Sequence, residues 1–407
     1  MREYFLNADF DLTLRGGTSL LETSDATFVH EMAWHFLFAG GKEDSVVLYQ
    51  PLPPEFLAYL GGKALALPHM SLHPGHTPSA EFTPFGWNAF TEARRSLYVG
   101  QPPYPSLAAV KTANSRAFSH ALERSWAEAD GVPWRRSEHG DLFQSWSVLE
   151  KFLLENPRPG AWFAKGDHGH AGTGNRRISE RSINGEEQKV VQRLLADHGQ
   201  VVLEPWQDRI MDMSANFTVE PGGRVKDFCG HELHNSQDGA FLGVKIFPNR
   251  RPPAPWDARL ESAAAKLGKA LDGIGYFGPV SMDAYVWQSP AGPQLRSLVD
   301  VNARYSMALP AHGLASRLPG KLLLWTWTKP RKLSLPADYV ELDARLGQWA
   351  FSSATQTGIL AASPIWHAFE KGKENGKAKR VGFLFSANNE EEFTAMRQAF
   401  ASVLGRK

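Results

Sequence analysis

Two short runs of sequence concentrate side chains able to do chemistry. The run Val280 to Trp287 carries Asp283, and the run Leu295 to Arg304 carries Asp300, Asn302 and Arg304. Residues two apart on a strand point the same way, so Asp300, Asn302 and Arg304 share one face. Val299, Val301 and Ala303 take the other face, which suits a core. The turn Ser289-Pro290-Ala291-Gly292-Pro293 lets the two strands lie antiparallel and brings Asp283 beside the polar row. Two carboxylates and an amide oxygen are hard ligands that leave octahedral positions open for phosphate oxygens, the usual way of holding magnesium. An arginine in the same row can grip phosphate or carboxylate bidentately. The plain alternative is a hairpin with one solvated face, which would more often carry long Lys or Glu side chains than this short acid–amide pair.

Two further stretches fit a nucleotide. In Trp162 to Ile178 (WFAKGDHGHAGTGNRRI) a β-like run ends at Lys165, and Gly166, Gly169, Gly172 and Gly174 follow. Glycines let the backbone approach phosphate oxygens closely, and the lysine supplies a point charge. Neither a Walker A loop nor a dinucleotide fingerprint is present, and a β-hairpin turn explains the same loop as well. In Val201 to Trp206 (VVLEPW) an apolar strand runs into Glu204, where exposed backbone groups could meet an adenine edge. A buried strand ending in an acid is the alternative. Other polar clusters read blandly. His30-Glu31 to His35 is one residue too long for a helical zinc pair. His69, His73 and His76 lie in a Pro/Gly-rich loop, and Cys229, the single cysteine, reads as a small buried side chain.

The elements that must hold these residues are α and β alternating. A helix over Thr27 to Phe38, a strand over Ser45 to Tyr49 and a helix to Leu60 suggest a small N-terminal α/β domain. Leu67 to Pro105 reads as an irregular connection. One helix is expected from Ser106 or Leu107 to Ala129, another over Phe143 to Leu154, then strands to Val219, and a helix over Asp257 to Leu271. From Lys321 the tail alternates strand and helix, with a basic run from Lys371 to Arg380 that reads as a solvated loop. The 407 residues suffice for two to four domains of ~100–200 residues. A net charge of +1 argues against a nucleic-acid partner. No apolar run approaches the ~18 residues of a membrane span, and Met1 to Leu14 lacks a secretory apolar region, so a cytoplasmic enzyme is expected.

The order of these features resembles the ATP-grasp superfamily, which includes D-alanine–D-alanine ligase and biotin carboxylase. The resemblance runs from about Leu107 to Leu314, and order and spacing carry it rather than any one motif. It implies an α/β protein: an N-terminal pre-ATP-grasp domain (1–105), an ATP-grasp core (106–320) with a lid at about 134–203, and a small C-terminal α/β extension (321–407). It implies that Lys111, in AVKTANSRAF, and Lys165 bind nucleotide phosphates with the Gly169, Gly172 and Gly174 loop. Glu204 and Trp206 would form the adenine hinge, and Asp212 would approach the ribose. Asp283, Asp300 and Asn302 would hold Mg2+, with Asp300 standing where the family usually has glutamate. Arg304 would stabilise charge at the γ-phosphate, and His231, His234 and His312 would lie near the substrate. The implied activity is ATP-dependent joining of a carboxylate to an amine through an acyl-phosphate. Rivals are an ATP-grasp kinase or carboxylase, or a non-catalytic nucleotide sensor. The partners are small molecules, with no nucleic acid and no membrane; a homodimer is left open.

Overall fold

The computed structural model describes residues 1–21, 27–131, 134, 136–156, 160–169, 175–178, 185–236, 240–366, 376 and 378–405. Three sheets organise them. The first is parallel: β1 (Arg2–Phe5), β2 (Ser45–Leu48), β3 (His69–Leu72) and β4 (Glu81–Pro84), in the order β3-β2-β1-β4. Parallel neighbours need crossovers, and the helices Thr27–Trp34 and Pro54–Gly62 provide them. The stretch read as irregular thus holds β3, β4 and the helix Ala89–Arg95. β3 (HMSL) and β4 (EFTP) lack the apolar β-branched run that marks β2 (SVVL).

The second sheet is antiparallel and falls in the stretch expected as a lid, called the lid region below: β5 (Asp141–Phe143), β6 (Trp162–Gly166), β7 (Arg176–Ile178) and β8 (Val201–Pro205), in the order β5-β8-β6-β7. The helices Trp146–Glu155 and Gly185–His198 cover it around their own core of Phe143, Leu149, Trp162, Val191 and Leu203.

The third sheet is the platform: β9 (Arg209–Val219), β10 (Val225–Asn235), β11 (Phe241–Ile246), β12 (Gly278–Ser289), β13 (Gly292–Asn302), β14 (Leu322–Thr328), β15 (Gly358–Ala361) and β16 (Val381–Ala387). Its order is β13-β12-β9-β10-β11-β14-β16-β15, so the strands of residues 321–407 extend the same sheet rather than building another. One apolar core, from Leu6 and Phe36 through Met213 and Leu267 to Trp325 and Phe383, joins the N-terminal domain to this platform.

The helix expected from Leu107 to Ala129 is two helices, Leu107–Ala113 and Arg116–Ala129. Asn114 ends the first: its Nδ2 donates to the Val110 carbonyl, and its Oδ1 accepts from the Ala303 N–H at 3.0 Å. Ser115 caps the second, accepting from the Phe118 N–H, while Asp167 of the lid region accepts from Ser115 Oγ at 2.7 Å and the Ala117 N–H at 3.0 Å. This break turns Arg116 toward the gap between lid and platform. No described helix is long and apolar enough to cross a membrane.

Candidate active site

The floor of that gap is the β12–β13 hairpin. Asp283 stands opposite Asp300, and Ser281 opposite Asn302, so all four share a face. Asn302 Nδ2 donates to Asp283 Oδ2 at 3.3 Å. Burial, reinforced by the facing Asp300 carboxylate, pushes the Asp283 carboxyl up to about 7. Two acids so placed want a cation between them. Past Asp283 the register shifts, because β13 uses more residues than β12 before Arg296 meets Tyr285. Val299 therefore lines the cleft instead of entering the core, whereas Val301 and Ala303 are buried as expected.

Arg304 leaves the end of β13 and is locked in place. Its Nη2 and Nε donate to the two carboxylate oxygens of Asp11 at 3.1 and 3.3 Å, Nη2 also to Asn302 Oδ1 at 3.0 Å, and Nη1 to the Tyr305 carbonyl. The N-terminal domain thus fixes the arginine through Asp11, a residue the motif reading does not single out.

The roof comes from the lid. Lys165 is buried, with Nζ 2.9 Å from Glu204 Oε1. The other Glu204 oxygen meets Arg296 Nη1 at 3.0 Å, and Arg296 also holds Glu123 through two 2.6 Å bonds. Burial alone would raise the Glu204 carboxyl; Arg296 and Lys165 overcome it and hold it down at about 2. Burial lowers the Lys165 ammonium, against the pull of Glu204 and Asp300. Glu204 is therefore a buried counter-charge. The Trp206 N–H donates to the Ala161 carbonyl at 2.9 Å, so that amide is taken up inside the lid region. What reaches the cleft is the Trp206 ring, beside Phe163 and with Arg209 5.4 Å from its centre. Asp212 lines the cleft too, its oxygens accepting from Arg209 at 3.0 Å and Asn235 at 3.1 Å.

Lys111 does not join this group. It is exposed on the helix Leu107–Ala113, outside the cleft lining. The cation that this segment sends in is the buried Arg116. Its Nε lies 3.1 Å from Asp300 Oδ2, and its Nη1 donates to the Gly166 carbonyl and to Asn175 Oδ1. Its cue in the sequence is Ser115, a capping residue that starts a new helix just before it. Gly169 packs against that guanidinium, and a Cβ there would run into it. Gly172, Gly174 and His170 lie outside the described residues. His168 bonds to Asp167 and the Lys111 carbonyl and is not part of the lining.

The three histidines part company. His231 and His234 both lie within β10, and three residues apart they face opposite ways. His231 lines the cleft with Leu233 and Asn235; His234 is turned to the other face, where burial and then Arg397 lower its affinity for a proton. His312, on the helix Leu309–Arg317, sits behind His231 with ring centres 5.0 Å apart and does not line the cleft. Cys229 is buried against His312, and burial pushes its thiol up to about 12. Among the described residues no group of three His, Cys, Asp or Glu side chains could cage a metal. The Asp283, Asp300 and Asn302 set instead suits a hard cation whose remaining ligands are phosphate oxygens.

A parallel N-terminal domain, an antiparallel lid and an antiparallel platform enclosing this cleft make the ATP-grasp fold. The solved structures it is similar to include N5-carboxyaminoimidazole ribonucleotide synthetase from Thermus thermophilus, at 14% identity and TM-score 0.52 over 100% of this chain and 99% of that one. Biotin carboxylase from Campylobacter jejuni is similar at 12% identity and TM-score 0.54 over 99% and 91%. The biotin carboxylase domain dimer of Hydrogenobacter thermophilus 2-oxoglutarate carboxylase, solved with MgADP and bicarbonate, is similar at 12% identity and TM-score 0.53 over 98% and 90%. No protein-family model and no curated protein matches the sequence.

Proposed function

We propose that the protein is an ATP- and magnesium-dependent ligase that joins a carboxylate to an amine through an acyl-phosphate, releasing ADP and phosphate. The observation that carries this reading is the facing pair Asp283 and Asp300, with Asn302 beside it, flanked by the cations Lys165, Arg116 and Arg304. Cations gathered around paired acids suit a polyphosphate with its metal. Mg2+ held by Asp283, Asp300 and Asn302 would neutralise phosphate oxygens of the nucleotide. The rings of Trp206 and Phe163 would flank the base, and Asp212 would receive a ribose hydroxyl.

Lys165 and Arg116 offset charge on the phosphates from the lid side, and Arg304 does so from the platform, where negative charge grows in the transition state. A carboxylate oxygen attacks the γ-phosphorus, and ADP leaves with the electron pair of the broken P–O bond. The amine nitrogen then attacks the acyl carbon, phosphate departs with the C–O electron pair, and the amine proton passes to phosphate or water. The lid sheet over the cleft keeps water from the acyl-phosphate.

The test is ADP release measured against pools of acids and amines. A ligase needs both partners together and leaves no phosphorylated end product. Release with an acceptor that stays phosphorylated would make it a kinase, and ATP binding without turnover on any pool would make it a sensor.

A further inference from the structure

The cleft continues beyond the strands that carry the acids. Along the sheet order β13-β12-β9-β10-β11-β14, Asp300, Asp283 and Asp212 occupy the first three strands. The next three turn His231 and Leu233, Phe241, and Trp327 into the cleft, and Met32 and Met307 complete the walls. With strands ~4.8 Å apart, His231 stands about 10 Å from the Asp283 strand and Trp327 about 19 Å from it. No carboxylate among the described residues is part of this second half's lining; the charged side chain there is Arg380, 4.7 Å from the Trp327 ring centre. An ammonium group placed there would lose its water without gaining a counter-charge.

His231 gives this half a polar point. It is fully buried yet lines the cleft, and neither ring nitrogen has a hydrogen-bond partner of acceptable geometry. A neutral imidazole offers one donor and one acceptor. Burial keeps it neutral, pulled down to about 3 against a contact with the Cys229 backbone that falls short of a well-formed hydrogen bond. Buried polar atoms without partners are exceptions, and at a cleft wall a bound ligand or water is what can complete them.

Building on the ligase reading, we infer that the carboxylate substrate is an apolar monocarboxylic acid with no ammonium group, aryl- or branched-alkyl-substituted. Its body lies among Phe241, Trp327, Met32 and Met307. His231 donates to the carboxylate oxygen that does not attack phosphorus.

The experiment is isothermal titration of the full chain, saturated with magnesium and a non-hydrolysable ATP analogue. The probes are 3-phenylpropanoate against phenylalanine, 4-methylpentanoate against leucine, and bicarbonate. Each deaminated acid is expected to bind at least tenfold more tightly than its amino acid, and than bicarbonate. His231→Phe should weaken the acid tenfold or more, and His231→Asn, which keeps a donor, should weaken it less. Amino acids or bicarbonate binding as well as the apolar acids would overturn the inference, as would equal affinity in wild type and folded His231→Phe. If His231→Phe does not fold, the wild-type comparison of acid with amino acid decides. Nucleotide is titrated separately. Acid binding without magnesium-dependent nucleotide binding would refute the ligase reading and leave the apolar compartment standing; nucleotide binding with neither apolar acid bound would refute the compartment alone.

Discussion

Arg116 and Asp300 are 184 residues apart in the chain and meet side chain to side chain at 3.1 Å. The same guanidinium donates to the Gly166 carbonyl at the end of β6. One residue therefore ties the helix Arg116–Ala129 to the lid and to the acid-bearing hairpin. Loss of a charge-assisted contact of about 1.5–3 kcal/mol corresponds to roughly ten- to a hundredfold in affinity. Arg116→Ala should weaken ATP binding by that factor, and Lys111→Ala should leave it near wild type. Titration of both variants with a nucleotide analogue checks this; the reverse order would return the phosphate role to Lys111.

Gly169 offers a second probe of the same guanidinium. A methyl group at this position would collide with Arg116, whose other bonds leave it little room to retreat. Gly169→Ala should therefore lower nucleotide affinity in the same direction as Arg116→Ala. In the double variant the two effects should fall short of additive, because residues in contact couple. Strict additivity across the four proteins would separate Gly169 from Arg116.

The buried charges Lys165, Glu204 and Arg296 answer differently to mutation. Glu204 serves two cations, whereas loss of Lys165 leaves Glu204 paired with Arg296. Breaking a buried ion pair leaves an uncompensated charge and costs about 3–5 kcal/mol. Glu204→Gln should reach that range, and Lys165→Met should lose clearly less stability while still losing ATP affinity. Denaturant unfolding of both variants measures the difference, and equal destabilisation would contradict the shared-counter-charge picture.

Acid should expose a third kind of buried group. His35 is buried against Trp325 and Trp327, and burial, helped by the charge of Arg380, pulls it down to about 3. A folded-state value below the ordinary 6.5 means that this contribution is fully present above pH 6.5 and is lost as pH falls toward 3. Between pH 7 and pH 5 one such histidine removes about 2 kcal/mol. Asp283, held up at about 7, acts in the opposite direction in that window, so the readout is the difference between proteins. His35→Phe should lose about 2 kcal/mol less than wild type between pH 7 and pH 5. Parallel stability curves would show that His35 is not buried neutral.

The sequence makes some of this arrangement legible and hides the rest for physical reasons. The Asp300–Asn302 alternation and the Pro/Gly turn specify a hairpin with Asp283 alongside, and the register matches. Val299 escapes the pattern because a register shift leaves no mark in residue types. Arg116 stays hidden when one helix is read through Asn114 and Ser115, although the serine is a cap. Asp11 and Arg296 are partners brought in by tertiary packing, and only the folded chain places them beside Arg304 and Glu204. His231 and His234 look alike in sequence until the strand that contains both assigns them to opposite faces.

The metal dependence of nucleotide binding decides whether the hairpin does what is proposed for it. A non-hydrolysable ATP analogue should bind the wild-type protein much more tightly as magnesium is raised. The double variant Asp283→Asn, Asp300→Asn keeps the side-chain shapes and removes both charges, and it should lose that dependence. Val301→Ala, a control on the buried face of β13, should lose roughly 1–3 kcal/mol of stability and keep the wild-type magnesium response. If magnesium leaves the wild-type affinity unchanged, or the double variant keeps the wild-type magnesium curve, the assignment of this cleft to a metal–ATP complex is wrong.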